Sequence, residues 1–161
     1  VGDCSERDVE RKAICLVDPE PNQTAKGIVH FEQKNPFSKT FIHGKFSGLS
    51  KNAMHGFHIH VFGNLSQGCV TAGPHYNPHG HVHGGPFSTT RHVGDLGNVF
   101  SDSNGNGTFE LHDPQVSLSG PHSVIGRALV MHKFSDDHGA GGNEESTKTG
   151  NAGPRIACGV I

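Results

Sequence analysis

The chain has 161 residues, 23 glycines, 14 histidines, 32% hydrophobic residues and a net charge of −2 at neutral pH. That length suits one domain spanning 1–161 with a core of its own. No apolar run approaches a membrane span, and the absence of a basic block leaves nothing to recommend a nucleic-acid or membrane partner.

The chain begins at Val1 rather than methionine and is read as a processed form. No segment sustains helical periodicity. Short β-rich runs recur instead between turn signals: Ala13–Val17, Gly27–Gln33, Thr40–Phe46, Gly56–Phe62, Gly94–Ser101, Thr108–His112, Gly126–His132 and Ile156–Val160. Short strands with long polar excursions predict an all-β sandwich or barrel. Asp18 to Asn22 and Asp102 to Gly107 read as hairpin turns, the second rich in residues that tolerate positive φ. Asp102, Asn104, Asn106 and Asp113 echo a calcium loop, but no helices flank them, so a plain turn is expected.

Two excursions, Gly63–Val93 and Lys133–Arg155, are too long for simple turns and need a function or a tether. Four cysteines allow three pairings, and arithmetic does not choose among them. Pairing Cys69 with Cys158 would tie the first excursion to the last strand. Cys4 and Cys15 would then pair by elimination, yet Cys15 shares its phase with Ala13 and Val17, and an inward phase puts it out of easy reach. Asn22, Asn64 and Asn106 each head an N-glycosylation acceptor tripeptide; with the even cysteine count they favour a secreted, extracellular glycoprotein.

The chemistry concentrates between His58 and Asp95. His58 and His60 stand two apart on a strand and share one face, while Phe57, Ile59 and Val61 take the other. A strand can thus offer two imidazoles to one metal while its apolar side holds a core. A lone pair of this kind is more often no metal site. Here His75, His83, His92 and Asp95 follow it at widening intervals. His55 reads as a structural hydrogen-bonder. His79 and His81 read as solvated loop residues, with an accessory metal patch as the other reading.

The blocks HGFHIHVFGN, GCVTAGPHYNP, HGGP, RHVGDLGNV, SLSGPHSVIGR and GGNEESTKTGNAGPRIACGVI resemble the copper/zinc superoxide dismutases from Lys12 to the end. The resemblance implies an eight-stranded Greek-key β-barrel with two long functional loops. It implies copper held by His58, His60, His75 and His132, and zinc held by His75, His83, His92 and Asp95, with His75 bridging. It implies that Asp136 orients ligand histidines on both metals and that the disulfide is Cys69–Cys158. The implied substrate is the superoxide anion, converted to dioxygen and hydrogen peroxide, with Arg155 holding the anion and Glu144, Glu145, Lys148 and Thr149 shaping its approach. A catalytically silent extracellular metal carrier on the same barrel is the alternative, suggested by the surplus histidines. Val61 and Asn64 depart from the family pattern near its dimer contact, and the tail stops at Ile161. A monomer or weakened dimer is therefore expected. The segment 1–8 lies outside the resemblance, as an N-terminal extension.

Overall fold

The computed structural model describes residues 9–161. Eight antiparallel strands form the protein: β1 (Arg11–Pro19), β2 (Lys26–Gln33), β3 (Thr40–Ser47), β4 (Met54–His60), β5 (Asp95–Ser101), β6 (Gly107–Asp113), β7 (Ala128–His132) and β8 (Arg155–Val160). They close into a barrel in the order β1-β2-β3-β6-β5-β4-β7-β8. The chain therefore crosses from β3 past two positions to β4, and from β6 past two to β7, which is Greek-key topology. Closure is uneven. The β1–β2, β2–β3 and β3–β6 ladders each run over seven residue pairs. Only Asp18↔Cys158 and Pro19↔Ala157 join β1 to β8, and only Phe100↔Thr108 and Ser101↔Gly107 join β5 to β6.

The period-two pattern places Val29, Phe31, Ile42, Phe57, Ile59, Val99, Leu129 and Met131 inside the barrel, all without solvent exposure. Phe57 centres this core, its ring edge-on to Phe46 at 5.4 Å and to Phe109 at 5.1 Å. Cys15 is also fully buried, and loss of hydration pushes its thiol up to about 12. Its candidate partner Cys4 lies outside the described residues.

All eight expected strands form, with ends displaced by one or two residues. Gly56–Phe62 becomes Met54–His60, because the amides of Val61 and Phe62 donate to the loop carbonyls of Pro74 and Ala72 rather than to a neighbouring strand. The start of β7 moves from Gly126 to Ala128, since Gly126 turns at φ 83°. The two hairpin turns occur where expected. In the second, Asp102 Oδ1 accepts from the amides of Asn104 and Asn106, and Gly105 takes a φ of 75°.

Among the described residues, helix is confined to a 3-10 turn at Cys69–Ala72 and one α-turn, α1 (Ser146–Thr149). The two long loops are nonetheless tied down. The Cys69–Cys158 disulfide, with 5.8 Å between Cα atoms, fixes the first to β8. Tyr76 N donates to Ile59 O, Gly94 N to Tyr76 O and Ile59 N to Gly94 O, strapping that loop along β4. A Cβ on Gly94 would fall 2.1 Å from Ile59 O, so only glycine permits this approach. The strap covers the outward face of β4, and His58 and His60 are consequently as buried as Phe57 and Ile59 on the barrel side.

Candidate metal centre

Buried imidazoles must find polar partners. His58, His60, His75 and His132 bring one ring nitrogen each within 4.8 Å of the others, and His75, His83, His92 and Asp95 do the same with one ligand atom each. All seven residues are buried, and His75 belongs to both groups.

The outer nitrogens identify the inner ones. His58 Nε2 donates to Asp136 Oδ2 at 2.5 Å and His83 Nε2 to Asp136 Oδ1 at 2.7 Å. An ionised carboxylate only accepts, so both protons sit on Nε2 and leave the Nδ1 lone pairs facing inward. His60 Nδ1 donates to Gly73 O at 2.7 Å and His132 Nδ1 to Gly153 O at 3.0 Å, leaving their Nε2 atoms 3.3 Å apart inside the cluster. Asp95 Oδ2 accepts from the amides of Gly84 and His92, while Oδ1 lies 2.9–3.2 Å from the Nδ1 atoms of His83, His75 and His92.

His75 alone turns both nitrogens inward. His58 Nδ1, His75 Nε2 and His83 Nδ1 are buried without a hydrogen-bond partner. Such orphaned lone pairs, converging from residues whose other nitrogens are anchored, are what a buried cation requires. The donor sets fit two ions: four imidazole nitrogens at one position, three imidazoles and a carboxylate at the other, with His75 between.

Electrostatics agree with the geometry. Burial holds His58 and His60 well below the ordinary imidazole value, reinforced by neighbouring imidazoles, and lowers His132 to about 4. These rings are therefore in the neutral, ligating form at physiological pH. Burial also works against protonated His83, but the carboxylates of Asp136 and Asp95 outweigh it and push the ring up to about 9. Cation binding there must displace a proton. Asp95 is held far below the usual carboxylate range by its three histidine partners, against the effect of burial.

Arg155, half-buried, lines one cleft with His60, His75 and His132, and its Nη1 donates to Cys69 O at 2.8 Å. Glu145, Lys148 and Thr149 border the same cleft; Glu144 stands outside its lining but accepts from Lys148 Nζ at 2.7 Å. His55 is structural as expected, its Nδ1 donating to the backbone carbonyl of His132 at 2.9 Å. His79 and His81 are exposed and join neither cluster.

Several supporting residues escaped the sequence reading. Arg91 is buried beneath the first loop, with Nη1 on Asp113 Oδ2 and Pro86 O at 2.7 Å, Nη2 on Val93 O at 2.9 Å and Nε on His92 O at 3.0 Å. It ties the His92–Asp95 turn to the end of β6. Asn98 clamps Asp136 by its backbone, accepting from the amide at 2.7 Å and donating to the carbonyl at 3.0 Å. Gly150 packs directly on Asp136, since a Cβ there would lie 2.0 Å from Oδ1. An arginine beside a ligand histidine and an asparagine on a strand read as surface polar residues; only tertiary contact reveals them.

The sequence is similar to those of known proteins. The family model described as Copper/zinc superoxide dismutase (SODC) matches residues 25–161. The chain is 52% identical over 150 residues to "Superoxide dismutase [Cu-Zn]" of Cordyceps militaris, covering 93% of this chain and 96% of that protein. The protein of the same name from Neurospora crassa is 53% identical over the same shares. "Superoxide dismutase [Cu-Zn] A" of Xenopus laevis is 51% identical, again over 93% of this chain and 96% of that protein. With its barrel, its paired ligand clusters and this similarity along nearly its whole length, the chain belongs to the copper/zinc superoxide dismutase family.

Proposed function

We propose that this protein converts superoxide to dioxygen and hydrogen peroxide, with copper held by His58, His60, His75 and His132 and zinc by His75, His83, His92 and Asp95. The observation that carries this assignment is His75, whose two nitrogens face the two clusters while every other ligand histidine with an identified outer partner directs one nitrogen away. Bound copper supplies one-electron chemistry, oxidising one superoxide and reducing the next, and zinc supplies fixed charge and order. The chain's residues do the rest. Asp136 holds the His58 and His83 tautomers through its two oxygens, coupling the positions. Arg155 receives the anion in the cleft; its contact with Cys69 O sets its direction. His75 Nε2, when not engaged with copper, would take up one proton from solvent between the half-reactions and pass it to the peroxide, and solvent would supply the second proton that completes hydrogen peroxide. The alternative of a silent carrier gains no support, because His60, His75 and His132 line one open cleft together with Arg155. Superoxide decay rate measured with copper and zinc per chain tests the reading: fast decay at one of each is expected, and fully loaded protein without activity would refute it.

The protein is further read as secreted and glycosylated, and as a monomer or weakened dimer. Asn22, Asn64 and Asn106 are all exposed, which supports acceptor function, and a glycan on Asn64 would be too bulky for a packed contact. One observation favours a second reading. Phe62, Ile125 and Val160 are 44–55% exposed, and the Gly63 backbone packs against Gly126 and Val160, so these apolar side chains gather into one patch that a second copy would cover. Sedimentation before and after enzymatic deglycosylation separates them. The monomer reading fails if a stable two-chain species retains sugar on Asn64.

A further inference from the structure

Three histidines unused by the buried clusters meet on the surface. His79 and His81 belong to the first long loop, and His122 to the connection between β6 and β7. All three are exposed. The His79 and His122 ring centroids are 5.0 Å apart at 73°, and those of His79 and His81 are 5.9 Å apart. The four rings around the copper position provide a calibration within the same molecule. Their centroids lie from 4.0 Å (His58–His75) to 6.2 Å (His75–His132) apart, and the two surface spacings that involve His79 fall inside that span. The ligand atoms of the three surface rings do not all come within the 4.8 Å that the buried groups satisfy, so His79 stands between His81 and His122 and ring rotation must bring the three together on an ion.

The local structure prepares the cluster. Asn77 clasps the His81 backbone from both sides, accepting from its amide and donating to its carbonyl, each at 2.9 Å. His81 Nδ1 lies 3.3 Å from Arg91 O, so its proton belongs on that nitrogen and the Nε2 lone pair is free. His79 is exposed and precedes Gly80, whose φ of 66° turns the loop, so its ring rotates about its own side-chain bonds between His81 and His122.

We propose that His79, His81 and His122 form a third, exchangeable metal site for one divalent cation of the imidazole-preferring class. Three imidazoles with solvent completing the coordination favour Cu(II) over Zn(II) in the usual affinity order, and exclude calcium and magnesium, which take oxygen ligands. The position gives the site a role. His81 and Asn77 also line the cleft that holds His60, His75, His132 and Arg155. The third ion sits at the rim of the substrate entrance, outside the buried pair.

The test uses protein with both buried positions filled, titrated with Cu(II) and followed by calorimetry and electron paramagnetic resonance. One further Cu(II) per chain is expected, with its own nitrogen-ligated signal and displaceable by excess Zn(II). His79→Ala and His122→Ala should each weaken this equivalent about tenfold or more, the scale on which supporting groups alone alter metal affinity. Superoxide turnover of the loaded enzyme should stay unchanged in both variants. Absence of an additional equivalent overturns the proposal, and so does an additional equivalent that neither substitution weakens.

Discussion

At the scale of single residues, the metal centre works by division of labour between two atoms of the same ring. His132 illustrates it: Nδ1 is committed to Gly153 O, and Nε2 faces the copper group while belonging to no zinc group. Replacing His132 by alanine should therefore abolish dismutation and leave zinc bound, as read by metal analysis beside an activity assay; normal activity at full copper load would remove His132 from the ligand set. The ligands were legible in sequence because histidine is scarce in ordinary cores and the strand period puts His58 and His60 on one face. Arg91 and Asn98 were not legible. Their significance comes from partners 22 and 38 residues away, Asp113 and Asp136, and nothing local marks a polar side chain as destined for burial.

At the scale of elements, the strands announced themselves through alternation, whereas the loops did not, because hydrogen bonds to distant backbone give them their shape. The disulfide matters here beyond stability. It fixes the Cys69–Ala72 turn against β8, and Cys69 O is the acceptor that holds Arg155. Cys158→Ala should lower stability by roughly 2–5 kcal/mol, the usual loss for a native disulfide closing a long loop. It should also reduce turnover at unchanged copper content, since the freed turn no longer aims the guanidinium. Denaturant unfolding together with rate per bound copper checks both. A stability loss with full turnover per copper would show that Arg155 is held by other means. The shifted end of β4 has the same origin: Val61 and Phe62 pair with the loop, a contact that no strand pattern contains.

At the scale of the whole molecule, a protein of net charge −2 must attract an anion. Arg155, Lys148 and Glu145 lie along the cleft, so its lining carries an excess of positive charge against the global sign. Lys148 is exposed and partly offset by Glu144, which leaves half-buried Arg155 as the more effective charge. Arg155→Glu should slow the reaction severalfold or more and flatten its decline with added salt, because attraction over ~10 Å is screened at 0.1 M. Stopped-flow rates across ionic strength decide this, and an unchanged rate and salt slope would place Arg155 outside the approach path.

A cylinder of strands has no rim for another chain to extend, and here that protection is thin at two seams, one of them where β1 meets β8 through two residue pairs. If that seam frays, the backbone of β1 loses its partner beside Ile14 and Leu16, which already point outward. An unpaired ribbon flanked by branched apolar side chains is a template for intermolecular strand addition. Because the disulfide anchors β8 at Cys158, itself paired with Asp18 across the seam, reduction loosens the closure itself. Reduction of the disulfide is then expected to raise the tendency of nearly native molecules to add strand to strand, with gross unfolding unnecessary.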